Sequence, residues 1–148
     1  MKDRTVVLVT DHIQAIVDHM NTVLGALTYP VPVGFGERPI KADKQHEPPP
    51  YLMVQFLAGG FAEGPLDDTQ ADINLRVLLV SAGNTAHEAS VLRDIAHAQM
   101  QASNFSVANR KVRDVRVQGV TDGIYRDDDV PTPIFYTRQT YLMDTVPA

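Results

Sequence analysis

Apolar residues recur at the three- and four-residue spacing of an amphipathic helix in two stretches of the chain. The apolar positions of the first stretch are Ile13, Ile16, Val17, Met20, Val23, Leu24 and Leu27. Those of the second stretch are Ala89, Leu92, Ile95, Ala96 and Met100. The first helix is predicted to end at Gly25 and to begin at residue 10 or 11, where Thr10 or Asp11 could cap it. Alternatively, the helix begins near residue 3, or residues 5–9 form a short strand before it. The second helix is predicted to begin with a capping box. In this motif the Thr85 side chain accepts the backbone N–H of Glu88, and the Glu88 side chain accepts the backbone N–H of Thr85.

Runs of apolar and alternating residues predict four strands. These strands lie at Tyr51–Leu57, at residues 71–81, around residues 112–117 and from Ile134 to about Val146, with a turn at residues 121–123 before the last of them. In the second strand Ile73, Leu75, Val77 and Leu79 share one face, whereas Leu78 and Val80 add apolar groups to the opposite face near its end. The last strand carries bulky apolar groups on both faces. The order of elements predicts an α+β fold, a mostly antiparallel sheet packed by two helices on one side.

Residues 29–50 differ from the rest of the chain. Six prolines fall in this segment, at positions 30, 32, 39, 48, 49 and 50, and residues 41–47 are polar. Because proline lacks a backbone donor, any strand here, such as 31–35, is expected at a sheet edge or in a projecting hairpin. The sequence therefore predicts an extended surface arm that becomes ordered against a partner.

Length and composition fit one acidic domain spanning residues 1–148. The chain has no cysteine, which excludes disulfides, thiolate metal sites and a cysteine nucleophile. Thirteen Lys and Arg residues against 18 Asp and Glu residues give a net charge of −5, unlike a free-standing nucleic-acid-binding domain. The chain shows neither a signal-peptide pattern nor a membrane-spanning run, so we expect it to be made and used in the cytoplasm.

No pattern of catalytic or metal-binding residues emerges from the sequence. His12 and His19 share a face of the first helix but lie about 10.5 Å apart along its axis, too far to hold one metal. His87 and His97 occupy different faces of the second helix, and His46 stands alone in the arm. The glycine pairs lack the context of a phosphate-binding loop, and the serines lack that of a nucleophile elbow. We therefore expect no catalytic residue, no cofactor and no metal.

Two charged clusters remain, and both are candidates for contacts with another subunit or partner. The basic cluster is Arg110, Lys111, Arg113 and Arg116, and the acidic cluster is Asp127, Asp128 and Asp129. On a regular strand, Arg113 and Arg116 would point to opposite faces, and Arg110 and Arg116 to the same face. The basic cluster is expected to be a solvated sheet edge or a docking site for an acidic partner, protein or DNA. Phe35 and Arg38 of the arm complete the set of candidate contact residues.

The acidic cluster, together with Asp122, could instead bind Mg²⁺ or Ca²⁺ and serve a small metal-dependent enzyme. Its spacing lacks the alternating ligands and the central glycine of a calcium loop. Solvated carboxylates, or salt bridges between subunits, are therefore the favoured interpretation, and the enzyme is the alternative from another functional class.

Several segments of the chain resemble the tail terminator family of long-tailed (siphovirus) bacteriophages, in particular those of actinobacteriophages. The resemblance begins with Pro-Pro-Tyr-Leu-Met-Val-Gln-Phe-Leu-Ala-Gly-Gly at 49–60, followed by Gly64-Pro65-Leu66 and Asp67-Asp68. It continues with Ser81-Ala82-Gly83-Asn84-Thr85, Arg126-Asp127-Asp128-Asp129-Val130-Pro131, Phe135-Tyr136, Tyr141 and Thr145-Val146-Pro147-Ala148. The order and spacing of these segments over residues 29–148 carry the resemblance, and the polar insert at 41–47 departs from it.

The resemblance implies a structural virion protein of the tail and neck, assembled in the host cytoplasm. Such proteins form a homo-oligomeric ring, usually a hexamer, that caps the tail tube, ends its polymerisation and joins it to the head-side connector. DNA would pass through the lumen without specific binding, and no membrane would be involved. A head–tail connector or neck joining protein of related fold is the alternative within the virion. The residues agree with a subunit of an assembly, because the sheet carries more apolar surface than two helices cover.

Overall fold

The computed structural model describes residues 9–57, 73–102, 106–107, 110–118 and 123–147. The two helices are α1 (Val9–Gly25) and α2 (Ala86–Ala102), and the strands are β1 (Val33–Phe35), β2 (Tyr51–Leu57), β3 (Ile73–Gly83), β4 (Arg110–Val117), β5 (Tyr125–Asp127) and β6 (Ile134–Pro147). Both predicted helices and all four predicted strands are confirmed. The start of the first helix before residue 9, the loop at residues 58–68 and the turn residues 121 and 122 lie outside the described residues.

The strands form one sheet in the order β1-β2-β3-β6-β4, with β5 paired to β6 off this path. The first pair, β1 with β2, is parallel, and the other pairs are antiparallel. The central ladder runs from Ile73 opposite Thr145 to Gly83 opposite Phe135. The α+β prediction with a mostly antiparallel sheet is therefore confirmed. The three-residue strand β5 was not predicted, because Tyr125-Arg126-Asp127 has neither the length nor the alternation of a strand.

Both helices pack on the same face of the sheet, and the main core lies between them. Alternate residues of β3 and β6 enter this core, as period-two geometry requires. The core side chains of the sheet include Leu52, Val54, Leu75, Val77, Leu79, Val115, Tyr141 and Met143. The helices contribute Ile13, Ile16, Val17, Met20, Leu24, Leu92, Ala96 and Met100. Most of each apolar stripe predicted from the sequence is thus buried in this core, whereas Leu27, beyond the end of α1, is exposed.

The opposite face of the sheet is covered unevenly. Along β3, Arg76 is exposed and Leu78 half-buried, whereas Val80 and Ala82 are buried. The apolar groups that the sequence places on this face near the end of β3 are thus covered, partly at Leu78 and fully at Val80. The cover there comes from a second, smaller cluster, which contains Tyr51 and Ile134 around Ala82.

The connection from β3 into α2 uses tight backbone packing and a side-chain cap. A Cβ atom on Gly83 would come within 2.6 Å of the Ala89 backbone nitrogen, so glycine is required by close approach. The Thr85 hydroxyl accepts the Glu88 N–H at 3.1 Å, as the capping box predicts. The Glu88 carboxylate accepts the N–H of Asn84 at 2.9 Å. The cap therefore reaches one residue further upstream than the predicted reciprocal bond to Thr85.

The segment 29–50 is an edge strand and a closed hairpin rather than an extended arm. As predicted, its strand β1 lies at a sheet edge. Beyond β1 the chain turns back on itself: Ile40 and His46 form an antiparallel bridge, and the Lys41 N–H donates to the Gln45 carbonyl at 2.7 Å. Lys44 adopts a left-handed backbone with φ of 66° at the turn. The predicted hairpin is therefore confirmed, whereas the segment is not extended, because these internal bonds satisfy the backbone groups that an extended segment would leave to a partner.

Candidate interaction surfaces

A β-bulge decides where the basic cluster of β4 points. The pairing with β6 is irregular between Val112 and Asp114, so Arg113 is an extra residue in the strand. Arg116 pairs with Leu142 on the face away from the helices, and Arg113 lies 3.7 Å from the Asp144 carboxylate on that same face. The predicted opposition of Arg113 and Arg116 was therefore wrong. Strict alternation fails here because the bulge shifts the phase of the strand by one residue.

Arg110 lies on the helix-covered side, and its side chain is buried at 7% exposure. Its guanidinium donates to the Thr145 carbonyl at 2.8 Å and to the Thr145 hydroxyl at 3.3 Å. The same hydroxyl lies 2.7 Å from Nε2 of His12, which is fully buried in α1. The prediction that Arg110 and Arg116 share a face was thus wrong, and Arg110 serves the interior rather than a contact surface.

The remaining charges of β4 are exposed but partly neutralised within the chain. Arg116 pairs with Asp114 at 3.1 Å, and both side chains are well exposed. Lys111 is exposed on the strand pairing with Val146. Exposed pairs of this kind contribute little to stability, about 0–1 kcal/mol. The surface is therefore a mixture of both signs of charge, with less net attraction for an anionic partner than the sequence suggests.

The acidic cluster follows β5 and forms a tight local turn. The Asp127 carboxylate accepts the backbone N–H of Asp129 at 3.0 Å, and Asp128 pairs with Arg126 at 2.6 Å. Asp128 and Asp129 are exposed, and Asp127 is half-buried. The described residues contain no group of three His, Asp or Glu side chains that could hold a metal ion. Asp122, the fourth carboxylate of the alternative metal site, lies outside the described residues.

Phe35 and Arg38, the two arm candidates, have different environments. Phe35 is 40% exposed at the end of β1 and lines a cleft of about 340 Å³ together with Ile40, which is 47% exposed. Arg38 is half-buried, donates from Nε to the Glu47 carbonyl at 2.9 Å, and places its guanidinium 4.9 Å from the centre of the Tyr51 ring. Phe35 is thus available to a partner, and Arg38 fixes the hairpin to β2 through a cation–π contact.

A second cleft, of about 430 Å³, lies on the other side of Arg38. Lys41 and His46 join Arg38 in lining it, and its walls include prolines from residues 48–49 and 131–133. Sequence reasoning missed Lys41 and His46 as a site. The signal was present in the polar insert at 41–47, but only the hairpin brings its two basic side chains to the same cleft as Arg38.

Two buried tyrosines carry the perturbed titrations of the described residues. Burial raises the pKa of Tyr141, whose hydroxyl lies 2.8 Å from His97 Nδ1, and the Arg93 guanidinium partly offsets that rise. Burial also raises the pKa of Tyr51; Arg38 opposes this shift and Asp127 adds to it. Both phenols therefore stay protonated at neutral pH and act as packed, hydrogen-bonding groups.

The histidines of the two helices are structural partners of neighbouring elements. His19 of α1 lies 2.9 Å from the Gln99 side chain of α2, and His97 contacts Tyr141 of β6. With the His12 contact to Thr145, these bonds tie helix to helix and helix to sheet. Among the described residues, no helix is long and apolar enough to cross a membrane.

Comparison with known proteins adds no relative to this picture: neither the scan against protein-family models nor the search of curated proteins finds a match to the chain.

Proposed function

We propose that the chain is a ring-forming structural subunit of a phage tail, a tail terminator that caps the tube and meets the head-side connector. The observation that carries the proposal is the ordered set of resembling segments between residues 49 and 148. The function needs no catalytic residue, cofactor or metal. It needs a rigid subunit and surfaces that bind other subunits.

Three of the resembling segments, distant in sequence, meet at one corner of the sheet. Tyr51 pairs with Ala82, and Ala82 pairs with Tyr136. The Tyr136 ring stacks on Tyr125 with centroids 5.5 Å apart. The Asn84 side chain donates to the Pro49 carbonyl at 3.1 Å. One continuous corner built from three resembling segments supports a common role for them better than three scattered motifs would.

Exposed apolar side chains supply a second line of support. Four of the seven large apolar side chains exposed in the described residues fall between positions 27 and 40: Leu27, Tyr29, Phe35 and Ile40. Apolar groups concentrated on one surface segment are typical of a protein–protein contact, whereas single exposed apolar residues are ordinary. The hairpin and β1 are therefore the surface that we assign to the neighbouring subunit.

The oligomeric state tests the proposal directly. Light scattering coupled to size-exclusion chromatography should give a discrete oligomer, alone or after mixing with tail tubes of the phage that encodes the chain. Negative-stain images should show rings, or density at one end of each tube. A protein that stays monomeric and never locates to tube ends would contradict the proposal. If the protein is found in assembled particles only on the head side of the neck, the connector alternative is favoured.

Paired substitutions locate the contact. Phe35→Asp combined with Ile40→Asp should weaken assembly at least tenfold, because two half-exposed apolar groups would become charged at the interface. Val91→Asp is the matched control, since Val91 is 43% exposed on α2, away from the hairpin. Equal effects of both variants would place the contact elsewhere. Circular dichroism checks that each variant keeps its fold.

A further inference from the structure

We infer that the cleft between the hairpin and the Pro131–Pro133 segment is a docking site for an acidic peptide of a partner protein. The inference goes beyond the proposed function, because it concerns the cleft lined by Lys41 and His46 rather than the exposed Phe35 and Ile40, and holds for a single subunit. It rests on the charge of the rim, the rigidity of the hairpin and the apolar walls of the cleft.

The rim of the cleft carries basic side chains without carboxylates. Arg38, Lys41 and His46 line it, and no Asp or Glu does. In the described part of the chain, none of the three forms an ion pair with a carboxylate, although the protein has a net charge of −5. By contrast, Arg113 and Arg116 of β4 have carboxylate partners in the same chain. The cleft is thus a basic site on an acidic protein.

The side chain of Arg38 and the backbone that carries Lys41 and His46 are held in place before any partner arrives. The Ile40–His46 bridge joins the two arms of the hairpin, and the Lys44 N–H donates to the Lys41 carbonyl at 2.9 Å. At its base, the Glu47 N–H donates to the Pro39 carbonyl at 2.8 Å. Arg38 uses Nε to bind the Glu47 carbonyl, which directs the outer end of its guanidinium away from that bond. A site ordered in advance loses less entropy when it binds.

The walls of the cleft fit the apolar part of a peptide. Pro48, Pro49, Pro131, Pro133 and Ile134 line the cleft, and Asn84 and Thr132 add polar groups to its walls. Proline rings offer flat apolar surface and no backbone N–H, so the proline-lined parts of the walls favour aliphatic or proline side chains. A volume of about 430 Å³ lies within the range of pockets that accept small ligands, and is enough for a few peptide residues.

The surroundings of the cleft favour a peptide over a nucleic acid. The exposed Asp128 and Asp129 immediately precede Val130, which lines the cleft. A DNA or RNA strand would continue past the cleft and meet these carboxylates with further phosphates, whereas a peptide limits its negative charge to the residues that enter. Tyr51, next to the cleft, already carries Arg38 on the face of its ring and is buried, so it offers no platform for base stacking.

The test uses the full chain and a defined probe. The probe is an acetylated and amidated hexapeptide, Glu-Asp-Pro-Leu-Glu-Asp, and its amide analogue Gln-Asn-Pro-Leu-Gln-Asn is the uncharged control. Titration of the ¹⁵N-labelled protein should shift the amide signals of the non-proline residues within 38–47 and 130–134 with the acidic peptide and not with the amide analogue. Shifts centred on Lys111 and Arg116, or no saturable shifts at all, would overturn the inference.

Charge reversal supplies the matched control. Lys41→Glu should weaken binding of the acidic hexapeptide at least tenfold, at about 0.15 M salt where the screening length is about 8 Å. Lys44→Glu makes the same change of charge on the same hairpin, but residue 44 does not line the cleft. This variant should therefore weaken peptide binding no more than threefold. Equal losses would show general charge attraction and refute a defined site.

Two competitors separate the possible anionic ligands. Inorganic phosphate and a short single-stranded oligonucleotide are added to the peptide complex at the same salt concentration. We expect that neither competitor displaces the peptide when the competitor is present at a concentration near the Kd of the peptide. Displacement by the oligonucleotide at such concentrations would assign the cleft to nucleic acid instead. Because these measurements do not require a ring, their failure is distinguishable from failure of the proposed function.

Discussion

Replacing Tyr141 by phenylalanine should change how the stability of the protein depends on alkaline pH. Tyr141 is 1% exposed in the core, and burial raises the pKa of its phenol in the folded state. In the unfolded chain the phenol titrates with a pKa of about 10. Because the folded pKa is the higher one, the stabilisation is complete below about pH 10 and is lost as the pH rises towards the folded pKa.

The size of the effect follows from proton linkage. If the folded phenol stays protonated, ionisation of the unfolded state alone lowers the free energy of unfolding by about 1.4 kcal/mol at pH 11. This is an upper bound, because Tyr141 also lines a cleft of about 210 Å³ beside the partly exposed Arg93. At pH 8, Tyr141→Phe should cost about 0.5–1.5 kcal/mol, the net value of the hydrogen bond to His97. The difference between the two proteins should therefore shrink or reverse at pH 11.

Urea denaturation followed by far-ultraviolet circular dichroism, at several pH values between about 8 and 11, measures the difference. Other ionisable groups are common to both proteins, so the difference curve isolates Tyr141. Tyr29→Phe removes a phenol that is 84% exposed and should leave the wild-type pH dependence in place. Parallel curves for wild type and Tyr141→Phe would refute the reasoning, since they would mean that the phenol ionises equally in both states.

Three further substitutions test the packing and capping described above. Thr145→Val should cost about 1–3 kcal/mol in chemical denaturation, because it removes the buried hydroxyl between His12 and Arg110, whereas Thr140→Val on the opposite face should change stability by less than about 0.5 kcal/mol. Gly34→Ala should lower the free energy of unfolding by more than about 1 kcal/mol, because the added Cβ would overlap the Glu37 carbonyl oxygen. Gly25→Ala is the control and should be neutral or stabilising, because nothing lies near the added atom. An equal loss of stability in both variants would contradict the clash. Thr85→Ala should lower the melting temperature of the protein through a loss of about 1 kcal/mol at the N-terminus of α2, and an unchanged melting temperature would mean that the cap is not needed.

The hairpin gives a fourth prediction, which separates folding from assembly. Deletion of residues 41–47 should leave the core folded, because the core residues of α1, β2 and β3 lie outside the deleted segment, but it should weaken assembly. Size-exclusion chromatography with circular dichroism measures both properties, and unfolding of the deletion variant would contradict the expectation.

Much of the fold could be predicted because it depends on local periodicity. The stripe from Ile13 to Leu24 and the alternation of Leu75, Val77 and Leu79 each place apolar groups on one side of an element. Such patterns predict which face of an element is buried, even when the element that packs against it is unknown. They correctly predicted the two helices, the four long strands and a sheet covered by helices on one side.

The candidate surfaces were only partly predictable, because they depend on contacts between residues that are distant in sequence. The sequence placed Phe35 and the acidic cluster at the surface; Phe35, Asp128 and Asp129 are exposed there, whereas Asp127 is half-buried. It could not show the bulge beside Arg113, since a bulge depends on the register with β6 and not on residue type. Nor could it show that the arm closes into a hairpin that brings Lys41 and His46 beside Arg38.

By itself, the sequence determined a cysteine-free acidic domain with two amphipathic helices and strands of known inner faces. Only the tertiary structure decided that Arg110 and His12 meet inside, through Thr145 of β6. A polar side chain in a strand can be solvated or buried with a partner, and the partner here lies 35 residues from Arg110 and 133 from His12. The periodicity of apolar residues predicts which face of an element is buried, because exposing apolar groups to water is unfavourable. The pairing of buried polar groups depends instead on which elements the folded sheet brings together.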